Sequence, residues 1–353
     1  MSEIGEFLTS KLGEKFFASD DEEYKKYGIP KLAQNSPKRI VIGLIRETIG
    51  PFINRSTVPD ETITIKVGEK DNVREIVEVP ARKFKSKEKL LGIRLSKLYN
   101  VIDKSYRYNY LTKVSQLENP VSAIFGDTVV SGGSENAGQG MFPSRVLYSS
   151  SYSIRDRSLI TERLTHNALS ENGTMWDEKE GKNRTSLFET EYIIPGVYFP
   201  SFLTLIDPTP ETLYFVMETL KETSYGAQTS ITGDNFKNNI IFILGCYNEP
   251  AISSYKISRD WDNSDVTFEN VMNFMIEKTE AEVNTDNKMI EGSELDEILK
   301  FFKNVPYEIS LNAYKDLQHD VSDLYNFANF GNKKRGENNN RNNSKKERDI
   351  DEE

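Results

Sequence analysis

Hydrophobic positions repeat with two periods along the chain, and these periods predict both helices and strands. Apolar side chains recur at helical spacing near the start and predict an amphipathic helix over 4–17. Residues 39–46 are almost continuously apolar and β-branched, which is typical of a strand buried on both faces. Residues 62–67 alternate with period two, pass a polar turn and return over 73–79, so they predict a β-hairpin.

A lysine-rich segment over 81–89 opens the next predicted helix. Ser86 is placed to cap its N-terminus, because a serine hydroxyl can accept a hydrogen bond from a free first-turn amide. Leu91, Leu95 and Leu98 recur at helical spacing and predict the buried stripe of this helix. The basic side chains are then expected on its solvent-facing sides.

A second helix is predicted after Asp207. Thr209 can cap its first amides, Pro210 suits the first helical position, and Gly226 is a candidate stop. Another buried strand is predicted over 239–245. The order of strand, basic helix, strands, capped helix and strand predicts an α+β fold with a ferredoxin-like βαββαβ core and large insertions.

The last third of the chain contains predicted helices followed by a polar tail. Helices are predicted over 268–275, 295–302 and 314–327. Beyond Gly331 almost no apolar residue remains, and the segment 331–353 is predicted to be a disordered polar tail.

Charge is distributed unevenly over the 353 residues. The net charge is -10, and an acidic balance taken alone argues against binding a phosphate backbone. Residues 31–113, however, carry 18 basic against 9 acidic side chains, whereas residues 260–300 carry 12 acidic against 3 basic. The sequence therefore allows a basic surface on an acidic body, or two solvated faces of opposite sign.

Several function classes lose support from the composition and motifs. No stretch approaches the roughly 20 apolar residues of a spanning helix, and one cysteine cannot form an internal disulfide. Two histidines and one thiol do not suit a zinc site, and neither a phosphate-binding loop nor a dinucleotide fingerprint occurs. We therefore expect no cofactor, no metal and no membrane partner, and the cysteine usage fits a cytoplasmic location.

Six segments carry a family resemblance when taken together and in order. They are Ile-Arg-Glu-Thr at 45–48, Val-Pro-Ala-Arg-Lys-Phe-Lys at 79–85, Phe-Gly-Asp at 125–127 with Ser-Arg-Val at 144–146, His-Asn-Ala-Leu at 166–169, Thr-Ser-Leu-Phe-Glu-Thr-Glu-Tyr-Ile-Ile-Pro-Gly-Val-Tyr-Phe at 185–199, and Tyr-Gly-Ala-Gln-Thr-Ser at 225–230. The chain resembles the Cas-seven backbone subunits of CRISPR effector complexes, specifically the type I-D branch (the Csc-two group). The similarity spans about 38–257, and the residues from 260 onward align with nothing in that family.

The resemblance implies one RRM-like domain over 1–330 with insertions. Its thumb-like β-hairpin covers about 160–191, and its acidic helical region covers about 260–330. Family members polymerise along a CRISPR RNA in a Cascade ribonucleoprotein that serves antiviral defence. The implied partners are CRISPR RNA, target DNA or RNA paired to the guide, other copies of the chain and other Cascade subunits.

The resemblance also implies an RNA-binding groove of basic and polar side chains. A carrier of any guide sequence needs contacts to phosphates and to RNA shape rather than to base edges. The expected contacts are Arg46, Lys83, Lys85, Lys87, Arg145, His166, Asn167, Arg184, Thr229 and Ser230.

Two other functions stay open at this point. Related backbone subunits cut RNA with a loop aspartate, and Asp60 and Asp127 are the candidates here, although either residue also suits a turn or a cap. Alternatively, the acidic helices bind a basic protein partner. A non-catalytic RNA-binding scaffold is the leading interpretation.

Overall fold

The computed structural model describes residues 2–55, 61–68, 73–129, 139–167, 176–177, 181–183, 187–225, 235–262 and 264–328. Within these residues the chain forms fourteen strands: β1 (Arg39–Thr48), β2 (Thr64–Val67), β3 (Arg74–Val79), β4 (Asp127–Val129), β5 (Gly140–Phe142), β6 (Val146–Tyr148), β7 (Ser151–Asp156), β8 (Thr161–Asn167), β9 (Trp176–Asp177), β10 (Lys182–Asn183), β11 (Leu187–Ile193), β12 (Tyr198–Ile206), β13 (Phe236–Cys246) and β14 (Lys288–Glu291).

Ten α-helices accompany these strands in the described ranges. They are α1 (Glu3–Leu12), α2 (Glu22–Lys26), α3 (Ala81–Leu98), α4 (Pro120–Phe125), α5 (Arg157–Ile160), α6 (Pro210–Thr219), α7 (Ser254–Asp260), α8 (Phe268–Glu280), α9 (Gly292–Lys303) and α10 (Tyr307–Ala328). The mixed α+β class predicted from the sequence is confirmed. None of these described helices combines the length and the apolar character needed to cross a membrane.

A five-stranded antiparallel sheet forms the centre of the fold. Its strand order is β14-β13-β1-β12-β6, and β1 pairs along its length with both β12 and β13. The strand predicted over 39–46 is therefore the middle strand of the sheet. Its ten residues are almost all buried, as their near-continuous apolar run predicts.

Helical layers cover both faces of this sheet. Ile40, Ile42 and Leu44 of β1 point into the larger core, which also contains buried residues of α1, α6, α9 and α10. Val41 and Ile45 point to the opposite face, where Val271 and Met275 of α8 and residues of α7 pack against the sheet. The alternation follows from the period of two in a strand. The acidic helical region thus contributes to both faces, with α8 on the second face and α9 and α10 in the larger core.

Helix α6 confirms the predicted N-terminal cap. The Thr209 hydroxyl accepts a hydrogen bond from the Thr212 amide at 3.2 Å, and Pro210 occupies the first helical position. The helix ends at Thr219, before Gly226, which lies outside the described residues. The helices predicted over 268–275, 295–302 and 314–327 are α8, α9 and α10, each somewhat longer than predicted.

Two predicted helix boundaries are wrong. Helix α1 ends at Leu12 rather than at residue 17, because Gly13 takes a φ of 97°, in the left-handed region that glycine tolerates best. Helix α3 begins at Ala81 with Pro80 at the N-cap, so Ser86 lies inside the helix and donates to the Lys83 carbonyl.

The buried side of α3 also differs from the predicted stripe. Leu98 is 54% exposed, whereas Glu88, Gly92 and Ser96 are buried. These three residues are four positions apart and face the sheet and α6, where a Cβ at Gly92 would lie 3.1 Å from the Phe215 ring. Phe84 and Ile93 are also buried, and Leu95 packs half-buried against the larger core, so the apolar periodicity identified only part of the buried side.

The strands of both predicted hairpins pair in the described residues. Strands β2 and β3 pair antiparallel, and β7 adds a third strand to this small sheet. Strands β8 and β11 pair from Thr161 opposite Ile193 to Asn167 opposite Leu187, which gives the two arms of the hairpin predicted over 160–191. The predicted tail over 331–353 lies outside the described residues.

An ion pair ties the base of the β8–β11 hairpin to the rest of the domain. The Arg157 guanidinium donates to Glu191 Oε1 at 3.0 Å and also contacts Glu75 of β3 at 3.3 Å. The second Glu191 oxygen accepts from the Thr62 amide at 2.7 Å. The direction in which the hairpin leaves the domain is therefore set by charge-assisted hydrogen bonds at its root.

We predict that Gly43→Ala destabilises the central sheet. A Cβ at Gly43 would lie 2.3 Å from two carbons of the Phe242 ring, which lies across this glycine from β13. Overpacking of this kind costs about 1–3 kcal/mol in the free energy of unfolding, measured by chemical denaturation. Adding Phe242→Leu should recover part of the loss, and a wild-type stability for Gly43→Ala alone would contradict the packing described.

Candidate nucleic-acid interface

A cleft of about 460 Å³ lies along the first two turns of α3. Its lining is basic and aromatic, and it consists of Arg82, Lys83, Lys85, Ser86, Lys89, Tyr108 and Phe125. The helical spacing explains the cluster, since positions three, four and seven residues after Arg82 lie on the same side of a helix. Strand β3 ends at Val79, so the basic side chains begin as soon as the chain leaves the sheet.

The start of α3 is electrostatically unusual. Its first turn contains no acidic residue, and Pro80 at the N-cap provides no side-chain cap. A helix N-terminus already carries a partial positive charge, and acidic residues there would normally be favourable. Arg82 and Lys83 add two further positive charges at this end, so the site favours an incoming anion.

Lys83 is held in the cleft by neutral oxygens. Its ammonium donates to Asn54 Oδ1 at 2.6 Å and to the Arg55 carbonyl at 2.6 Å. Burial, followed by the charge of Arg82, lowers the pKa of Lys83 from 10.5 to about 8. Among the described residues Lys83 forms no ion pair, so its charge is available to a ligand.

Lys85 has a similar environment. Its ammonium donates to Ser144 Oγ at 2.8 Å. Burial, followed by repulsion from Lys89, lowers the pKa of Lys85. An anion in the cleft would stabilise the charged form of both lysines, because an opposite charge nearby offsets the cost of burial.

Lys89 lines the cleft and pairs with Asp127, which lies outside the set of lining residues. The Lys89 ammonium donates to Asp127 Oδ1 at 2.5 Å, and Asp127 Oδ2 accepts from the Tyr106 hydroxyl at 2.6 Å and from Ser122 Oγ at 2.7 Å. The Asp127 side chain is 6% exposed. Both carboxylate oxygens are therefore occupied by the protein, and this geometry favours a structural role over the catalytic role considered above. Asp60 lies outside the described residues.

Arg46 does not lie in the cleft, and its expected RNA contact is corrected. The side chain is 1% exposed, and its Nη1 donates to Glu88 Oε1 of α3 at 2.6 Å and to Asn238 Oδ1 of β13 at 2.9 Å. Glu88 also accepts from the Tyr225 hydroxyl at 2.8 Å and from the Tyr148 hydroxyl at 2.5 Å. A buried charge needs such partners, so Arg46 joins α3 to the sheet.

Arg145 is likewise directed into the protein. Its Nε donates to the Leu32 carbonyl at 2.9 Å and its Nη1 to the Ala123 carbonyl at 2.9 Å. Burial lowers the pKa of Arg145 to about 10. These hydrogen bonds hold the half-buried guanidinium against the segments of Leu32 and Ala123, and the RNA contact of Arg145 stays a prediction.

The remaining expected contacts fall into two groups. Lys87 is half-buried on α3, outside the set that lines the cleft. His166 and Asn167 belong to β8, where they pair with Phe188 and Leu187, but their side chains lie outside the described residues. Arg184, Thr229 and Ser230 also lie outside them.

Five lining residues were absent from the expected contacts: Arg82, Ser86, Lys89, Tyr108 and Phe125. Arg82, Lys89 and Tyr108 lie in the cleft beside Lys83 and Lys85. The spacing of Arg82, Lys85 and Lys89 along the helix would have indicated one shared face. No sequence pattern links Tyr108 to α3. Tyr108 lies in the loop that follows the helix, and this loop brings it back beside the first turns of α3. Across the described residues, no three side chains of His, Cys, Asp or Glu are grouped as a metal site.

Comparison with known proteins decides the family. A family model described as Csc2 Crispr matches residues 61–330. The chain belongs to the Csc2 family of CRISPR proteins. The match extends through the acidic helices, which corrects the expectation that the family similarity stops near residue 257. A comparison with curated proteins gave no match.

One solved structure supports the fold, and two others show weaker similarity. The chain is similar to the crystal structure of Thermofilum pendens Csc2, with a TM-score of 0.60, 14% identity and coverage of 91% of this chain and 96% of that one. A chain from a CRISPR RNA-guided surveillance complex has a TM-score of 0.44 and 12% identity, covering 71% of this chain and 87% of that one. A chain from a Type IV-B CRISPR complex has a TM-score of 0.40 and 14% identity, covering 57% and 90%.

We predict that Glu88→Ala lowers the free energy of unfolding by about 3–5 kcal/mol, because the Arg46 charge would stay buried without its partner. Chemical denaturation monitored by circular dichroism measures this loss. The control is Glu22→Ala, which removes an exposed partner of Lys25 at 3.6 Å and should cost at most about 1 kcal/mol. Equal losses in the two variants would contradict a structural role for Arg46 and Glu88.

Proposed function

We propose that the protein is a CRISPR RNA-binding backbone subunit of a type I-D Cascade complex, with a role in antiviral defence and target recognition. The observation that carries this proposal is the cleft at the start of α3, where Lys83 and Lys85 are partly desolvated and have no described carboxylate partner. Such cations suit the phosphates of a nucleic-acid strand. Membership of the Csc2 family supports the same interpretation.

We infer an RRM-like core from the arrangement of the central elements. Strands β1, β6, β12 and β13 with helices α3 and α6 follow the order βαββαβ along the chain. In the sheet these four strands lie in the order β13-β1-β12-β6, which is 4-1-3-2 when they are numbered along the chain. Because helical layers cover both faces of the sheet, bases cannot stack on an open face, and the RNA path passes the end of α3 instead.

The chemistry of the cleft suits a guide of any sequence. Lysine ammonium groups and a helix N-terminus contact phosphates, and these contacts position a strand without reading its bases. The net charge of -10 is compatible with this role, because only the surface near the strand needs to be positive.

The β8–β11 hairpin supports polymerisation. We infer that it acts as a thumb that crosses the guide and reaches the next copy of the chain, with Arg157 fixing its direction. When many copies assemble along one RNA, the modest affinity of each copy combines into a high overall affinity. Target strands paired to the guide and other Cascade subunits would then be the further partners.

We predict that Lys83→Gln with Lys85→Gln weakens binding of single-stranded RNA of any sequence. Removing two phosphate contacts should reduce the slope of log affinity against log salt by about 1.4, since each contact to a single strand contributes about 0.7. Fluorescence anisotropy over a salt series measures both quantities.

The matched control for this variant is Arg94→Gln with Lys97→Gln, which removes the same charge from exposed positions farther along α3. This control should leave the slope nearly unchanged. Identical slopes for wild type and the Lys83/Lys85 variant would show that the cleft is not the phosphate site.

We predict that RNA binding weakens as pH rises from 7 to 9. Lys83 is charged below its pKa of about 8 and loses its charge above it, so a phosphate contact is lost in this interval. Lys83→Arg should flatten the profile, because a guanidinium stays charged throughout. The probe is an oligoadenylate, whose bases do not titrate in this range, and superimposable profiles for wild type and Lys83→Arg would contradict the assignment.

We predict that deletion of residues 172–181 leaves folding intact but impairs ordered assembly on RNA. The deleted residues lie between the paired arms of the hairpin, which keep their contacts at the root. Electron microscopy of the variant on a long RNA, beside wild type, provides the measurement. Regular filaments of normal length would rule out the thumb assignment.

A further inference from the structure

A second cleft of about 470 Å³ adjoins the lysine cleft. The two clefts share Lys89, and Ser144, which accepts a hydrogen bond from Lys85, also lines the second one. A ligand that crosses the lysine cleft therefore reaches the second cleft without leaving the surface.

The second cleft combines apolar and polar groups. Leu111, Met141 and Phe142 contribute apolar surface, whereas Asn109 and Thr128 contribute an amide and a hydroxyl. Met141 is 59% exposed, which leaves a large apolar side chain in solvent. A binding partner would remove this side chain from water, and that burial is favourable.

The wall of the second cleft is held rigidly. Strands β4 and β5 pair with Thr128 opposite Met141, so the hydroxyl and the thioether are neighbours. Gly126 has a φ of 81°, and a Cβ there would lie 2.9 Å from the Ser144 amide nitrogen. Only glycine allows this close approach of the two backbone segments, so the shape of this wall depends on Gly126.

Tyr108 belongs to the lysine cleft and directly precedes a residue of the second cleft in the chain. Its ring lines the lysine cleft, and the Lys89 ammonium lies 5.4 Å from the ring centroid. The next residue, Asn109, lines the second cleft. Among the described residues the Tyr108 hydroxyl has no hydrogen-bond partner, so the ring is oriented by packing alone.

We propose that a base-binding subsite lies where the two clefts meet, in which one unstacked nucleobase packs against Tyr108 of the lysine cleft and Met141 of the second cleft. This inference rests on the proposed function, because the same strand would place its phosphates over Lys83 and Lys85. Aromatic rings accept the face of any base, and such stacking is tolerant of sequence. The amide of Asn109 has both a donor and an acceptor, so it can bond to the edges of different bases.

A nucleotide fits these two clefts better than a peptide. Lys83 and Lys85 form no salt bridge among the described residues, and the second cleft, which shares Lys89 with theirs, presents apolar surface. A single-stranded nucleic acid offers a phosphate and a flat apolar ring in each repeating unit, which matches this pairing of surfaces.

The test compares an oligoadenylate with a ribose-phosphate strand of the same length that lacks bases. Wild type should bind the oligoadenylate more tightly than the abasic strand. Tyr108→Ala should weaken oligoadenylate binding by about 5- to 150-fold while leaving binding of the abasic strand nearly unchanged. Met141→Ala, at an exposed position that should not disturb folding, should lower the ratio of oligoadenylate affinity to abasic-strand affinity by a smaller factor.

Leu98→Ala is the matched control, because Leu98 is a similarly exposed apolar residue at the far end of α3. Its ratio of oligoadenylate to abasic affinity should equal that of wild type. An unchanged ratio in both the Tyr108 and Met141 variants overturns the base subsite, and so does an equal loss for both strands.

The proposed function is judged separately in the same assay. Lys83→Gln with Lys85→Gln should weaken both strands to the same extent, because both contain the phosphates. If this variant weakens both strands while the Tyr108 and Met141 variants leave the ratio unchanged, RNA binding at the cleft stands and the base subsite fails. If the lysine variant weakens neither strand, the proposed function fails as well.

Discussion

The buried ion pair between Arg46 and Glu88 is the interaction on which the candidate site depends. It joins the middle strand of the sheet to α3 at 2.6 Å and also engages Tyr148, Tyr225 and Asn238. An unpaired charge in such a place would be costly, so α3 can occupy only the register that pairs the two residues. With Glu88 turned inward, Lys83, Lys85 and Lys89 are left along the side that forms the cleft. One internal contact thus determines which charges face a ligand.

Separation of the acidic helices from the start of α3 along the chain explains how an acidic protein can present a basic site. The acidic helices α8 and α9 belong to the part of the chain that carries 12 acidic and 3 basic residues. Helix α8 packs on the sheet face opposite the larger core, with Val271 and Met275 buried and the acidic positions outside. The acidic region therefore completes the core of the domain, and repulsion between like charges would keep an RNA strand away from that surface.

Sequence patterns predicted elements well where burial was apolar and poorly where it was polar. The strand at 39–46 and the cap at Thr209 were evident, because continuous apolar runs and Thr-Pro at a helix start have specific physical causes. The buried face of α3 gave such a signal only in part. Arg46 was expected in a groove because its partner Glu88 lies 42 positions away in the chain, and only the folded sheet brings them together. Tyr108 was not predicted as a site residue, because it lies in a loop without hydrophobic periodicity.

Ultraviolet cross-linking of the assembled complex to its guide RNA, followed by mass spectrometry of the linked peptides, tests the central claim most directly. The account predicts that linked peptides come from the segments around 82–89 and 108–111, which surround the two clefts, and that the acidic segment 268–303 yields none. Cross-links confined to the acidic helices, or distributed without enrichment at the start of α3, would contradict it.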